Sequence, residues 1–131
     1  MLVFLGGTCN DSTWRDRLIP VLKINYFNPV VKDWTPECQA RELEERANAD
    51  IVLYFITPAM AGVYSIAEVV DDSNKRPAKT VFAAVRHNED GEFDKKQWKS
   101  IQAVADMVSR NGGKSFIDDR ECALLHILET V

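Results

Sequence analysis

Only three cysteines and two histidines occur among 131 residues, and neither type clusters. Cys9, Cys38 and Cys122 are widely spaced, with no Cys-x-x-Cys pair. The sequence therefore predicts reduced thiols, and neither a disulfide framework nor a zinc site. His87 and His126 lack partners at metal-ligand spacing, so no metal is expected. Basic residues are also short, with 16 Lys and Arg against 20 Asp and Glu and a net charge of −4. No basic run and no aromatic-rich basic stripe is present, which argues against a nucleic-acid partner. No apolar run approaches the roughly 20 residues of a membrane span. Met1 leads straight into Leu-Val-Phe-Leu, which reads as a strand rather than the basic start of a secretory leader. The expected compartment is the cytoplasm.

What remains is an ordinary globular composition, 46% hydrophobic and 27% charged, in a length that suits one domain spanning residues 1–131. Short apolar runs alternate with stretches of helical period. Leu2–Leu5, Ile24–Phe27, Ile51–Thr57, Thr80–Val85 and Ser115–Ile117 read as strands. Ile51–Thr57 has no polar alternation, as expected of a strand covered on both faces. Thr13 with Asp16 fits a capping box, followed by Trp14, Leu18, Val21 and Leu22 on one helix face. Thr35-Pro36-Glu37 is a helix start, with a stripe through Ala40, Leu43 and Ala47. Val63, Ile66, Ala67 and Val70 form the next stripe, and Trp98, Ile101, Ala105 and Val108 another, stopped by Asn111-Gly112-Gly113. Asp118 with Glu121 opens a last helix carrying Leu124, Ile127, Leu128 and Val131. Segment 86–94 is polar and predicts an exposed loop.

Five strands alternating with five helices predict an α/β fold: a flavodoxin-like three-layer sandwich with a five-stranded parallel sheet and helices on both faces. The order 2-1-3-4-5 is the expectation. Ligands of such sheets bind beyond the carboxyl ends of the strands, where the order reverses, here between strands 1 and 3. The loops at that point hold Gly6-Gly7-Thr8, Asn28-Pro29, Asp33-Trp34 and Gly62-Val63-Tyr64-Ser65. GGTCND is neither a dinucleotide fingerprint nor a phosphate-binding Gly-Lys-Ser/Thr loop, so no nucleotide cofactor is called for. Glu68 stands out as an acid on the helix after the central strand. Its spacing from Ser65 also fits a capping box, in which it would serve only the backbone.

Three stretches carry a resemblance: FLGGTCNDSTWRD (Phe4–Asp16), YFNPVVKDW (Tyr26–Trp34) and DIVLYFITPAMAGVYSIAEVV (Asp50–Val70). Together they resemble the nucleoside 2-deoxyribosyltransferase-like family. The resemblance implies that Glu68 is a nucleophile attacking C1′ of a deoxynucleoside, through a covalent deoxyribosyl-enzyme that a second base or water resolves, as in retaining glycosidases. Such a carboxylate is expected to be ionised and oriented, without a raised pKa. Glu42 matches a further family acid, as Glu where the family has Asp. Gly62 stands where better-known members carry an aspartate, six residues before the nucleophile.

Softer implications place Gly6, Gly7 and Thr8 against the sugar or base and Asn28 and Asp33 at the base edge; for the lost aspartate either Tyr64 or Ser65 takes over, or the sugar specificity has changed, or activity is weak. Trp14 is either a stacking platform or a core residue. The implied partners are a nucleoside or nucleotide, a free base, and further copies of the chain in a homo-oligomer. Two alternatives stay open: a non-catalytic nucleoside-binding sensor, and an NAD or nucleotide glycohydrolase of similar architecture.

Overall fold

The computed structural model describes residues 1–9 and 11–131. Its elements run β1 (Leu2–Gly7), α1 (Trp14–Leu18), β2 (Asn25–Phe27), α2 (Pro36–Asn48), β3 (Ile51–Ile56), α3 (Tyr64–Lys75), β4 (Thr80–Asn88), β5 (Gly91–Glu92), α4 (Lys95–Arg110), β6 (Lys114–Arg120) and α5 (Glu121–Leu128). The parallel sheet has the order β2-β1-β3-β4-β6, the 2-1-3-4-5 arrangement expected of the five main strands. The sixth strand is a correction. Residues 86–94 do not form a simple loop: β4 continues to Asn88, turns, and pairs antiparallel with β5 through His87–Glu92 and Asn88–Gly91. The turn needs no apolar signal, because Asn88 Oδ1 accepts from the Asp90 amide and Gly91 closes it.

Strand residues alternate between two cores. Phe4, Val52, Tyr54, Ile56, Phe82 and Ala84 face α2, α3 and α4. Val3, Leu5, Leu53, Phe55, Val81, Ala83 and Val85 face α1 and α5, meeting Trp14, Leu18, Leu124 and Leu128. Right-handed crossovers account for the partition, since the chain steps one way from β1 to β2 and the other way from β2 onward. No helix among the described residues is long and apolar enough to cross a membrane.

The helix starts differ in how they are made. Thr35 caps α2, its hydroxyl accepting from the Cys38 amide, and Pro36 occupies the first turn. The capping box expected from Thr13 and Asp16 does not form: Thr13 is bound to Glu89 of the β4–β5 turn, and α1 gives way to a 3₁₀ turn at Ile19–Val21 around Pro20. Likewise α5 starts at Glu121, because β6 runs on to Arg120 and Asp118 accepts from the Arg120 amide. On α4 the expected stripe of Trp98, Ile101, Ala105 and Val108 is buried. On α2 it is not. Ala40, Leu43 and Ala47 are exposed, and Arg46 is the buried residue. α3 is rotated in the same sense, burying Glu68, Val69, Asp72 and Ser73 while Val63 and Ala67 lie in solvent. Both helices nearest the order reversal thus turn charge inward.

Candidate active site

Gly6 and Gly7 end β1 against β3, and each is required there. A Cβ on Gly6 would lie 2.7 Å from the Tyr54 ring. Gly7 has φ +114°, and its Cβ would sit 2.2 Å from the Phe55 carbonyl oxygen. The bare backbone of this turn forms one wall of a cavity of about 210 Å³. Its other walls are Cys9, Arg15, Pro29, Val30, Val31, Trp34, Glu42, Ser65 and Glu68. The cavity lies beyond the carboxyl ends of β1 and β3, where the strand order reverses. A recess of about 170 Å³ adjoins it, sharing Trp34, Glu42 and Glu68 and adding Arg46, Leu43, Gln39 and Tyr64.

Glu68 is common to both spaces. Only 8% of it is exposed. It is not folded back on its helix terminus: Val63 is the residue before the first turn, no side chain caps α3, and the Ser65 hydroxyl instead donates to the Gly7 carbonyl at 3.3 Å. Arg46 Nη1 donates to Glu68 Oε2 at 3.2 Å. Burial pushes the Glu68 carboxyl up to about 8, helped by a hydrogen bond to Glu42 and by the Glu42 charge; Arg46 opposes this and Asp72 adds to it. This corrects the expectation of an unraised nucleophile. Two acids close enough to share a proton resist simultaneous ionisation, and the spacing of residues along the chain does not reveal that they meet.

Beneath Glu68 lies a network that no motif announced. Asp72, fully buried, accepts from Arg46 Nε at 3.2 Å and Nη2 at 3.1 Å, from the Tyr54 hydroxyl, and from Arg76 Nη1. Burial works against the Arg46 charge, but its bonds to Asp72 prevail and hold it firmly protonated. Tyr54 is pushed well above the usual phenol range, by burial first and by the Asp72 carboxylate next. One signal for this network was present in the sequence. Glu42 with Arg46 and Glu68 with Asp72 are both i, i+4 pairs of charge, on consecutive crossover helices that ought to face a sheet. Arg15 of α1 is a further buried cation at the cavity wall. Its buried guanidinium donates to the Leu5 and Thr8 carbonyls, and burial lowers its pKa against the opposing effect of Cys9.

The other expected residues divide. Gly6, Gly7, Ser65, Glu42 and Glu68 line the main cavity, and Tyr64 lines the recess. Asn28 borders two neighbouring hollows, but its Oδ1 accepts from the Val30 amide at 3.0 Å and shapes the turn. Thr8 ties the loops together, its hydroxyl accepting from the Thr57 amide at 2.9 Å. Asp33 is exposed and lines neither the cavity nor the recess. Trp14 is a core residue: fully buried, stacked 4.9 Å from Phe55, its indole nitrogen donating to the Thr8 carbonyl. Its apolar stripe carried it inward, away from any base. A larger groove of about 790 Å³ lies at the far edge between α4 and β6, where Arg86, Lys95 and Lys99 face Asp118 and Asp119 in an open trough; it holds none of the expected residues.

The sequence model of a family described as nucleoside 2-deoxyribosyltransferase like matches residues 1–85, which include every wall of the main cavity. Comparisons with curated proteins and with solved structures returned no match.

Proposed function

This chain belongs to the nucleoside 2-deoxyribosyltransferase-like family, and we propose that it breaks the N-glycosidic bond of a deoxynucleoside or deoxynucleotide, with Glu68 as nucleophile and Glu42 as its proton partner. The carrying observation is the nearly enclosed Glu68 carboxyl, beside Glu42, facing a cavity whose opposite wall is the side-chain-free Gly6-Gly7 turn. In the ionised state a Glu68 oxygen attacks C1′ as the bond from C1′ to the base nitrogen breaks. The proton shared by the acids, held on Glu42 once Glu68 ionises, passes to the departing base. A second base or a water then takes the sugar from Glu68, and the proton returns. No metal or redox partner enters this scheme. The raised Glu68 pKa sets an upper limit in pH: the couple keeps its last proton below about 8, so turnover should hold up to that value and fall beyond it, as the departing base loses its proton donor.

The test is to incubate purified protein with a 2′-deoxynucleoside, or its 5′-monophosphate, and a free acceptor base, and to follow free and exchanged base by chromatography. Release of base that is lost in Glu68→Gln, with folding kept by circular dichroism, supports the reading. A second reading, a binding module without turnover, is favoured by Gly62, which stands in the place of the family aspartate. Gly62 has open space around it, with no atom within 4 Å of where a Cβ would stand. Gly62→Asp should therefore fold as the parent does and raise turnover; ligand binding without turnover in both proteins favours the sensor. Residence in the cytoplasm and assembly of several copies belong to the same proposal, the latter supported by the exposed Trp34, Leu43, Val63 and Tyr64 at the rim.

A further inference from the structure

The acid couple of Glu42 and Glu68 is not free to choose its own charge, because what lies behind it is unusually constrained. Arg46 is the cation that touches Glu68, and two of its three guanidinium nitrogens are bound to Asp72. Asp72 is itself met by Tyr54 from β3 and by Arg76 one turn further along α3. Only Nη1 is left for Glu68, and it takes Oε2, leaving Oε1 outside the ion pair. A carboxylate as deep as Asp72 costs several kcal/mol to bury unless it is fully partnered, so the sequence would not keep it there for packing alone. The arrangement has the logic of a reacting group steadied from behind by a buried acid, here through an arginine.

We propose that Asp72 and Arg46 are positioning residues for Glu68: Asp72 holds the guanidinium by two nitrogens and so fixes how much positive charge Glu68 meets and which of its oxygens stays outside the ion pair. The catalytic meaning of this couple rests on the reading of Glu68 as the reacting carboxylate. The couple itself is measurable without turnover. Every charged or titratable group around Glu68 enters the balance. Glu42 and Arg46 approach from α2, Asp72 from α3 with Asp71 and Arg76 beyond it, Tyr54 from β3, and Arg15 and Cys9 stand across the cavity, while Tyr64 borders the recess. β1 contributes only the backbone of Gly6 and Gly7.

Opposite shifts distinguish positioning from mere scaffolding. Asp72→Asn removes a negative charge and frees Arg46 to turn to Glu68, so the Glu68 carboxyl should titrate about one pH unit lower. Arg46→Gln should move it up by about one unit or more. Arg76→Gln, which touches Asp72 and not Glu68, should move it up by less. Lys75→Gln alters an exposed neighbour paired with Asp71 and should leave it in place. The readout is a carbon NMR titration of protein carrying ¹³C-carboxyl glutamate, with the Glu68 line assigned by its loss in Glu68→Gln. Should Asp72→Asn fail to fold, the partly exposed Arg76 decides: a rise in Arg76→Gln without one in Lys75→Gln supports the couple. Equal shifts in those two, or shifts of Asp72→Asn and Arg46→Gln in one direction, overturn it. If the shifts follow this pattern while the wild type releases no base, the positioning couple stands and the glycosidic reading alone fails.

Discussion

α2 and α4 pack on the same face of the sheet, yet they are built on opposite plans. α4 buries Trp98, Ile101, Ala105 and Val108, and its charges lie in solvent. α2 buries Arg46, half-buries Glu42 and Glu45, and leaves Leu43 54% exposed. The first helix stabilises the fold through apolar area removed from water. The second turns its inward face to ionic contacts with Glu68 and Asp72, and its own apolar stripe is left looking outward. A helix that buries paired charge is under different constraints from a helix that covers only a sheet.

Four substitutions break or sharpen this contrast. The largest effect is expected from Glu68→Gln, which should lower base release by about three orders of magnitude or more, measured by chromatography. The same variant has a pH signature. In the folded chain Glu68 titrates near 8, far above its ordinary value of 4.5, so the native state binds the extra proton between those limits. That contribution to stability is whole below the ordinary value and is lost as pH rises toward 8. Urea unfolding at a series of pH values should show a downward slope in that window, and Glu68→Gln should flatten it. Next comes Arg46→Met, which leaves Glu68 and Asp72 buried with fewer partners and should cost about 3–5 kcal/mol. Ile101→Ala on α4 should cost about 2–5 kcal/mol by opening a cavity, without moving the Glu68 titration. The smallest is Leu43→Ser, expected within about 0.5 kcal/mol for an isolated chain. A larger loss, accompanied by a change in size-exclusion volume, would reveal that a second copy covers the stripe.

Much of this molecule was legible in its residues where hydrophobic period and burial agree. The unbroken run Ile51–Ile56 became the central strand, Thr35-Pro36 opened α2, and the α4 stripe faced the core as its spacing implies. Period failed on α2 and α3 because Arg46 and Asp72 pair inside, which turns the faces that carry Leu43 and Val63 to solvent. Trp14, offered both as a stacking platform and as core, proved to be core, whereas Glu68 was legible as the acid of the crevice. The proton-sharing pair and the hold on it from Asp72 were not, since both depend on two helices converging from positions 26 residues apart. The β4–β5 turn escaped for a simpler reason: it is polar throughout, and its order comes from Ser12 and Thr57 donating to Asp90 and from Thr13 and Arg17 binding Glu89.

The family match stops at Val85, in the middle of β4. A chain cut there would retain every wall of the crevice and still lose β6, which pairs along β4, together with α4 and α5 from the two cores. The matched segment and the set of elements that closes the two cores thus have different borders in this protein. A minimal working fragment has to reach at least Leu128, and a graft of residues 1–85 onto another scaffold needs a surrogate strand and two apolar lids before its acids can stand where they do.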